Sequence, residues 1–234
     1  MSKEDDIVLR ATKKPIVEKT VNNAKDIILN TGISDFLGLS LSKALTQDYY
    51  IVGLDRDCAT DLDSESESFK RMPCIPCDLT SDKSVKEAMD ELQRRFEKLI
   101  VSVIHLSGYY GFTGEPNALY EEDNVNGTRR LLQALQDFDV EQFIYASTML
   151  VHAPSEPGVP INNEDWPLQP KWPYPQSKLE MKQVVQNENG SFTIRCSALP
   201  AMSSTAKRLF TSAIWLTLSP ALSGCVINYL RKPV

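Results

Sequence analysis

The stretch Thr31-Gly-Ile-Ser-Asp-Phe-Leu-Gly38 follows a short apolar run, 27–30, and leads into a segment of helical period, 37–47. A glycine directly after a strand permits a tight turn, and a glycine early in the next helix lets that helix pack closely on the strand. The unpaired N–H groups of the helix N-terminus then form an anion site. The stretch therefore predicts a nucleotide-binding turn, although Asp35 occupies the position of the usual middle glycine.

An acidic residue at the end of the next strand strengthens this prediction. Asp55 lies 23 residues after Gly32, where a carboxylate accepts hydrogen bonds from the adenosine ribose hydroxyls. Such an acid favours NAD over its 2′-phosphorylated relative, but Arg56 could pair with that phosphate, so NADP stays open. Asp78, after the third strand, could accept a hydrogen bond from the adenine amine or could simply shape the turn before a helix.

Apolar runs of strand length alternate with segments of helical period over most of the chain. Six strands are expected, including 27–30, 50–54, 99–106, 143–147 and 192–196, with helices at 37–47, 81–98, 122–137 and 175–186. This alternation is typical of βαβ units. The predicted fold class is α/β, a Rossmann-type doubly wound parallel sheet, with a polar extension at 1–25, the main domain at 26–200 and an apolar tail at 201–234.

Composition excludes some classes of protein. The 234 residues carry a formal net charge of −6 and no basic cluster mixed with aromatics, which argues against a nucleic-acid surface. The five cysteines are too sparse for a disulfide scaffold and the N-terminus lacks a signal-like apolar stretch, so a reducing cytoplasm is expected. Cys74 and Cys77 are interpreted as small residues at a strand end, and no metal site is expected.

The segment 209–230 contains no charged residue and has basic residues on both sides. Its length and apolar character fit a helix that spans or enters a membrane. Its Ser/Thr hydroxyls and Pro220 instead fit two short helices packed against the protein. The two interpretations remain open.

Tyr174 and Lys178 are four residues apart, so on a helix they would share one face, about one turn from each other. Tyr174 lies directly before the predicted helix 175–186. An ammonium beside a phenol lowers the phenol pKa and makes it an acid/base group near neutral pH. Thr148 follows the predicted strand 143–147, so its hydroxyl is expected at the carboxyl edge of the sheet, where ligands bind. The three residues predict a catalytic set.

Seven motifs occur in the order in which they occur in a known family. They are TGISDFLG at 31–38, LDRD at 54–57, CDLT at 77–80, VIHLSG at 103–108, NVNGTRRLLQAL at 124–135, FIYASTMLV at 143–151 and YPQSK at 174–178. Over 26–195 the chain resembles the extended short-chain dehydrogenase/reductase family, the NAD-dependent epimerase/dehydratase group.

The resemblance implies NAD as the cofactor and a small-molecule substrate, in this family often a nucleotide sugar. Thr148 would orient the substrate, Tyr174 would transfer the proton and Lys178 would bind the nicotinamide ribose. His105 is expected to be a packed or supporting group and not a catalyst. Cofactor-binding roles are implied for Gly32, Ser34, Asp35, Phe36, Leu37, Gly38, Asp55, Arg56, Asp78, Leu79, Leu106, Ser107, Gly108, Asn124 and Lys178.

Two departures from the family pattern affect function. Asp35 adds like-charge repulsion toward a pyrophosphate, and little of the substrate-recognition lobe follows Arg195. The expected activity is hydride transfer at a hydroxyl or carbonyl carbon with tyrosine acid/base catalysis. The alternative is a catalytically impaired nucleotide-binding or interaction protein that works through protein contact or through attachment of its tail to a membrane. The resemblance also implies a homodimer formed through 122–137 and 175–186.

Overall fold

The computed structural model describes residues 25–58, 72–96, 98–111, 113–154, 166–188 and 193–199. The strands are β1 (Ile27–Thr31), β2 (Tyr50–Asp55), β3 (Cys74–Pro76), β4 (Leu99–His105), β5 (Asp139–Thr148) and β6 (Thr193–Leu199). The helices are α1 (Phe36–Leu45), α2 (Asp82–Arg95), a π-helix (Tyr120–Gly127), α3 (Thr128–Leu135) and α4 (Pro173–Asn187), with a 3₁₀ turn at Met149–Val151.

All six strands are parallel and lie in the order β3-β2-β1-β4-β5-β6. This order confirms the predicted Rossmann-type sheet. The chain moves outward in one direction from β1 and in the other direction from β4, so a crevice opens between the carboxyl ends of these two strands. The turn at Gly32 and the loop after His105 border that crevice.

Apolar side chains cover both faces of the sheet. The larger cluster joins β2, β4 and β5 to α2, α3 and α4, with Leu92, Leu131 and Val185 fully buried. The smaller cluster packs α1 residues Leu41 and Leu45 against the opposite face. Burial on both faces explains why the sequences of the central strands are nearly continuous runs of apolar residues.

The predicted helix 122–137 is wrong in its form and its start. The segment begins at Tyr120 as a π-helix and becomes α-helical only at Thr128. The hydroxyl of Thr128 donates to the carbonyl oxygen of Asn124 at 2.6 Å, and a Cβ on Gly127 would lie 3.0 Å from Leu79 Cβ. The first contact is a local side-chain bond to the backbone and the second is a tertiary contact, and neither alters the apolar periodicity from which the helix was predicted.

Cysteine pairing also differs from expectation. Cys74 forms a disulfide with Cys58, across a Cα–Cα distance of 5.7 Å, instead of being a free thiol near Cys77. Cys77 is free and buried, and its pKa is raised to about 12 by burial, with Asp78 and Asp55 adding to the shift. The C-x-x-C pattern is therefore not a redox pair, and the bond ties the chain after β2 to the start of β3.

Reducing this disulfide is expected to lower the free energy of unfolding by about 3 kcal/mol, because the bond closes a loop of roughly 15 residues in the unfolded chain. Urea unfolding with and without dithiothreitol measures the effect. The Cys58→Ser variant should unfold like the reduced protein and should not respond to the reductant. An unchanged unfolding curve for the reduced wild type would contradict the prediction.

Some sequence predictions fall on residues outside the described ranges. These are the polar extension at 1–25 except for its last residue, the tail at 201–234 and the apolar segment 209–230. Among the described residues, no helix is both long and apolar enough to cross a membrane.

Candidate functional site

The turn between β1 and α1 has the geometry that its two glycines predict. Gly32 has a φ of +78°, and a Cβ there would lie 2.9 Å from the Ser107 backbone nitrogen. A Cβ on Gly38 would lie 2.0 Å from the Gly32 carbonyl oxygen. Gly32 is therefore required for the turn and Gly38 for close packing of α1 on it, which confirms both structural roles.

The carboxylate of Asp55 is held by backbone N–H groups at the end of β2. Oδ2 accepts from Ser34 at 2.9 Å, and Oδ1 accepts from Asp57 at 3.2 Å. The Ser34 hydroxyl also donates to the Asp57 carbonyl oxygen at 2.9 Å. These bonds join the turn at Gly32 to the end of β2 and fix the orientation of the Asp55 carboxylate.

Asp35 is the N-cap of α1 and is exposed. Its Oδ1 accepts a hydrogen bond from the Phe36 N–H at 2.8 Å. A helix-terminal N–H of this kind is what a pyrophosphate oxygen would bind in such a turn. The side chain therefore takes the hydrogen bond of one N–H donor of the expected phosphate site. It also places a negative charge at that site.

Asp78 follows β3, and its carboxylate is hydrogen-bonded within the turn that begins there. Its Oδ1 accepts from the Thr80 N–H at 2.9 Å and from the Thr80 hydroxyl at 2.7 Å. Burial raises the pKa of Asp78, but these bonds, with Arg56 and Arg130 nearby, lower it overall. The structure thus supports the turn-forming role. Leu79 is buried next to it.

The loop 106–108 brings β4 close to the nucleotide turn and to the helices. The Leu106 N–H donates to the Thr31 carbonyl oxygen at 3.1 Å. A Cβ on Gly108 would lie 2.8 Å from Asn124 Oδ1 and 3.2 Å from Lys178 Nζ. Gly108 therefore leaves room for both groups to approach the backbone, and a larger residue there would displace one of them.

Asn124 and Lys178 are buried on this side of the crevice. Asn124 Nδ2 donates to the Tyr109 carbonyl oxygen and to Ser177 Oγ, both at 2.9 Å. Asn124 Oδ1 is buried and has no hydrogen-bond partner among the described residues. Lys178 is 5% exposed, and its Nζ lies 3.8 Å from Met181 Sδ. An unsatisfied acceptor and a buried ammonium are both suited to a polar ligand such as a ribose.

The environment of Tyr174 contradicts the expected effect of Lys178 on its acidity. Burial raises the pKa of Tyr174 to about 12, and the neighbouring phenols Tyr110 and Tyr120 add to the shift. The ring centroid of Tyr120 lies 6.3 Å from that of Tyr174. Loss of hydration and nearby phenols disfavour the phenolate. In the protein alone, Tyr174 is therefore a protonated group at neutral pH.

Thr148 lies at the carboxyl end of β5, as the sequence predicts, and is buried. Its Oγ1 accepts from the Leu150 N–H at 3.3 Å and so begins the 3₁₀ turn. Helix α4, which carries Tyr174 and Lys178, contacts β5, this turn and the π-helix. The three predicted catalytic residues thus belong to elements that pack together at one edge of the sheet.

The comparisons with known proteins agree with this geometry. Residues 28–205 match the family model described as NAD dependent epimerase/dehydratase family. The chain belongs to the NAD-dependent epimerase/dehydratase family. It is 32% identical over 168 residues to UDP-glucose 4-epimerase of Bacillus subtilis, covering 68% of this chain and 47% of that protein.

Further relatives cover similar shares of the chain. The dTDP-D-glucose 4,6-dehydratase of Dictyostelium discoideum is 29% identical over 195 residues, which are 74% of this chain and 44% of that protein. The crystal structure of Thermus thermophilus UDP-glucose 4-epimerase with NAD superposes with a TM-score of 0.57 at 22% identity, covering 72% and 53% of the two chains. The chain therefore spans about half the length of the relatives that it matches.

The family assigns NAD as the cofactor. The Gly32 turn, the oriented carboxylate of Asp55 and the unsatisfied Asn124 Oδ1 fit that ligand, whereas Asp35 places a negative charge and an already bonded Phe36 N–H at the turn. In the described part of the chain, no group of three or more His, Cys, Asp or Glu residues could hold a metal ion.

Several residues at the site were not predicted from the sequence. Tyr110 and Tyr120 shift the pKa of Tyr174, and Ser177 binds Asn124. Asp123 is also near the crevice, where burial raises its pKa. Tyr109 and Tyr110 could have been predicted as site residues, since they directly follow the strand-end loop 106–108 and residues at that position border the crevice. Ser177 and Tyr120 had no comparable local signal.

A separate groove of about 430 Å³ lies between α2 and α3. Its apolar lining includes Val85, Met89 and Phe138, and charged residues from the same two helices surround it. Because the lining comes from the outer helices and not from the strand ends, this groove is distinct from the nucleotide crevice.

Proposed function

We propose that this protein is an NAD-dependent oxidoreductase or epimerase that acts on a hydroxyl or carbonyl carbon of a nucleotide sugar. One observation carries the proposal: α4 presents Tyr174 to an aromatic cluster that includes Tyr120 and, one turn later, Lys178 beside Gly108 and Asn124. An acid/base group and a buried ammonium on one helix face are the groups that hydride transfer to a carbonyl needs.

Each residue has a specific part in the proposed reaction. When bound, NAD supplies the hydride donor or acceptor. Tyr174 donates its proton to a carbonyl oxygen as that carbon is reduced, and takes the proton back when the hydroxyl is oxidised. Thr148 orients this oxygen by hydrogen bonding. Lys178 binds the nicotinamide ribose.

The proposed cofactor contacts follow the crevice from one end to the other. Asp55 accepts from the adenosine ribose, and Asp78 and Leu79 border the adenine. Backbone N–H groups of α1 face the pyrophosphate, and Ser107, Gly108 and Asn124 border the nicotinamide end. NAD is preferred over NADP because a 2′-phosphate would approach Asp55, although Arg56 beside it is exposed and able to pair with a phosphate.

A second candidate function is that of an impaired nucleotide-binding or interaction protein. The hydrogen bond from the Phe36 N–H to Asp35 favours it, because an internal carboxylate takes the place of a phosphate oxygen. In that case the fold would persist without turnover. Cytoplasmic location, tail attachment to a membrane and homodimer formation stay predictions.

Turnover of nucleotide sugars separates the two functions. Purified protein with NAD is expected to convert at least one of UDP-glucose, UDP-glucuronate and dTDP-glucose. Product chromatography detects epimers, and absorbance of the reduced nicotinamide detects net oxidation. Folded protein that binds NAD but converts none of these sugars would favour the second candidate and contradict the first.

A further inference from the structure

His105 is a buried titratable group for which the proposed reaction has no use. It ends β4, is 1% exposed and lies between the nucleotide turn and the helices. Its Nδ1 is 2.7 Å from Thr31 Oγ1, and its Nε2 is 2.9 Å from Thr128 Oγ1. Both ring nitrogens are therefore hydrogen-bonded, to residues 74 positions and 23 positions away in sequence.

The neighbouring bonds determine which nitrogen carries the proton. The Thr128 hydroxyl donates its only proton to the Asn124 carbonyl oxygen at 2.6 Å, so its oxygen must accept from His105 Nε2. His105 Nδ1 is then the acceptor for the Thr31 hydroxyl. Thr31 Oγ1 in turn accepts from the Ser107 N–H at 3.3 Å. Every proton in this chain has one acceptor when the ring is neutral.

Electrostatics agrees with the neutral ring. Burial and, to a smaller extent, charge repulsion from the Lys178 ammonium together lower the pKa of His105 to about 3. The imidazole is therefore unprotonated on Nδ1 throughout the physiological range, and its hydrogen-bonding pattern does not change with pH there.

The two ends of the hydrogen-bonded chain lie at opposite halves of the cofactor crevice. Thr31 and Ser107 contact the turn at Gly32, where the pyrophosphate is expected. Thr128 contacts the backbone of Asn124, whose side chain lies beside Gly108 near Lys178. A dinucleotide must engage both halves at once, so its affinity depends on the distance between them.

We propose that His105 is a positioning residue that holds the nucleotide turn and the Asn124 segment of the π-helix at the spacing that a dinucleotide requires. The proposal rests on the proposed function for the roles of Asn124 and Lys178. It predicts that breaking this series of hydrogen bonds weakens the binding of a ligand that spans both halves of the crevice more than the binding of a ligand that occupies only one half.

The experiment compares NAD with ADP, which lacks the nicotinamide ribose and ring. Thr128→Val keeps the side-chain shape but removes the hydroxyl between His105 and Asn124. It is expected to raise the Kd of NAD by about tenfold and to change the Kd of ADP by less than about twofold, as measured by calorimetry. Thr128→Ser keeps the hydroxyl and should restore NAD binding.

A stability control and a spectroscopic readout complete the design. Val103→Ala, in the same strand, reduces core packing and removes none of the hydrogen-bonding groups, so it should leave both Kd values nearly unchanged. Nitrogen-15 NMR should show His105 protonated on Nε2 in the wild type and a shifted tautomer balance in Thr128→Val.

Equal weakening of NAD and ADP in Thr128→Val, no weakening of either, or the same NAD loss in Val103→Ala would overturn the proposal. Absence of turnover would contradict only the proposed function, because these measurements need binding and not chemistry. Absence of NAD binding in the wild type would overturn both.

Discussion

The Tyr174→Phe variant is expected to lose about 10²- to 10⁴-fold in kcat while its Kd for NAD stays within about twofold of the wild type. The substitution removes only the hydroxyl that transfers the proton. The ring remains to pack near Tyr120, which is 6.3 Å away between centroids, so the fold and the crevice should persist. Steady-state kinetics with the nucleotide sugar that the wild type converts, together with calorimetric titration of NAD, measures the two quantities.

Tyr120→Phe is the matched control for this substitution. It also removes one phenol hydroxyl from the aromatic cluster, but that hydroxyl donates to the Gly111 carbonyl oxygen at 3.2 Å and has no proposed part in proton transfer. Its kcat should fall by less than about fivefold. Comparable losses in the two variants would mean that the cluster supports packing and that Tyr174 is not the acid/base group.

The pKa of Tyr174 adds a pH signature. Because burial raises this pKa to about 12, the phenol of the protein alone is protonated at neutral pH and suited to donating a proton. Taking up a proton from a hydroxyl needs the ionised form, which becomes more abundant as pH rises. The rate of substrate oxidation by the wild type should therefore increase with pH, and this dependence should be lost in Tyr174→Phe.

Replacing Asp35 by glycine is expected to lower the Kd for NAD by about tenfold or more at low ionic strength. The change removes a negative charge beside the pyrophosphate and releases the Phe36 N–H that the carboxylate now occupies at 2.8 Å. The cost to α1 should be only a few tenths of a kcal/mol, since glycine is a tolerated N-cap. Calorimetric titration of NAD and of ADP measures the gain, which should appear for both ligands.

Asp35→Asn distinguishes the effect of the negative charge on NAD binding from the effect of the hydrogen bond to the Phe36 N–H. Asparagine caps a helix about as well as aspartate but carries no charge, so it should recover only the electrostatic part of the gain. That part should shrink in high salt, because Asp35 is exposed and its charge is screened. Equal NAD affinity in wild type, Asp35→Gly and Asp35→Asn would show that the carboxylate does not oppose the cofactor.

The features that the sequence predicted correctly depend on neighbouring residues. The alternation of strands and helices follows from local apolar periodicity, and the observed strand order matches the Rossmann-type prediction. Gly32 and Gly38 were recognisable because a tight turn and a close helix contact leave no space for a Cβ. Asp35 was recognisable as a departure because it stands in that same short turn.

The strand and helix ends were less predictable where a partner strand or a distant contact decides them. Strand β5 begins at Asp139, four residues before its apolar core, because Asp139 and Val140 pair with Leu99 and Ile100. The π-helix contains Gly127, which packs closely on the distant Leu79, and the Thr128 hydroxyl bonds the Asn124 carbonyl oxygen within it. Neither effect changes the local apolar pattern, so periodicity alone placed these boundaries wrongly.

By itself, then, the sequence determined the parallel α/β sheet and the glycine turn with its aspartate, because turn sterics and side-chain period are local properties. The catalytic roles of Thr148, Tyr174 and Lys178 stay predictions. Only the tertiary structure decided the disulfide between Cys58 and Cys74, the raised pKa of Tyr174 and the neutral His105 between two threonines. Burial and hydrogen bonding depend on which distant residues the fold brings together, and that information is not contained in any one stretch of chain.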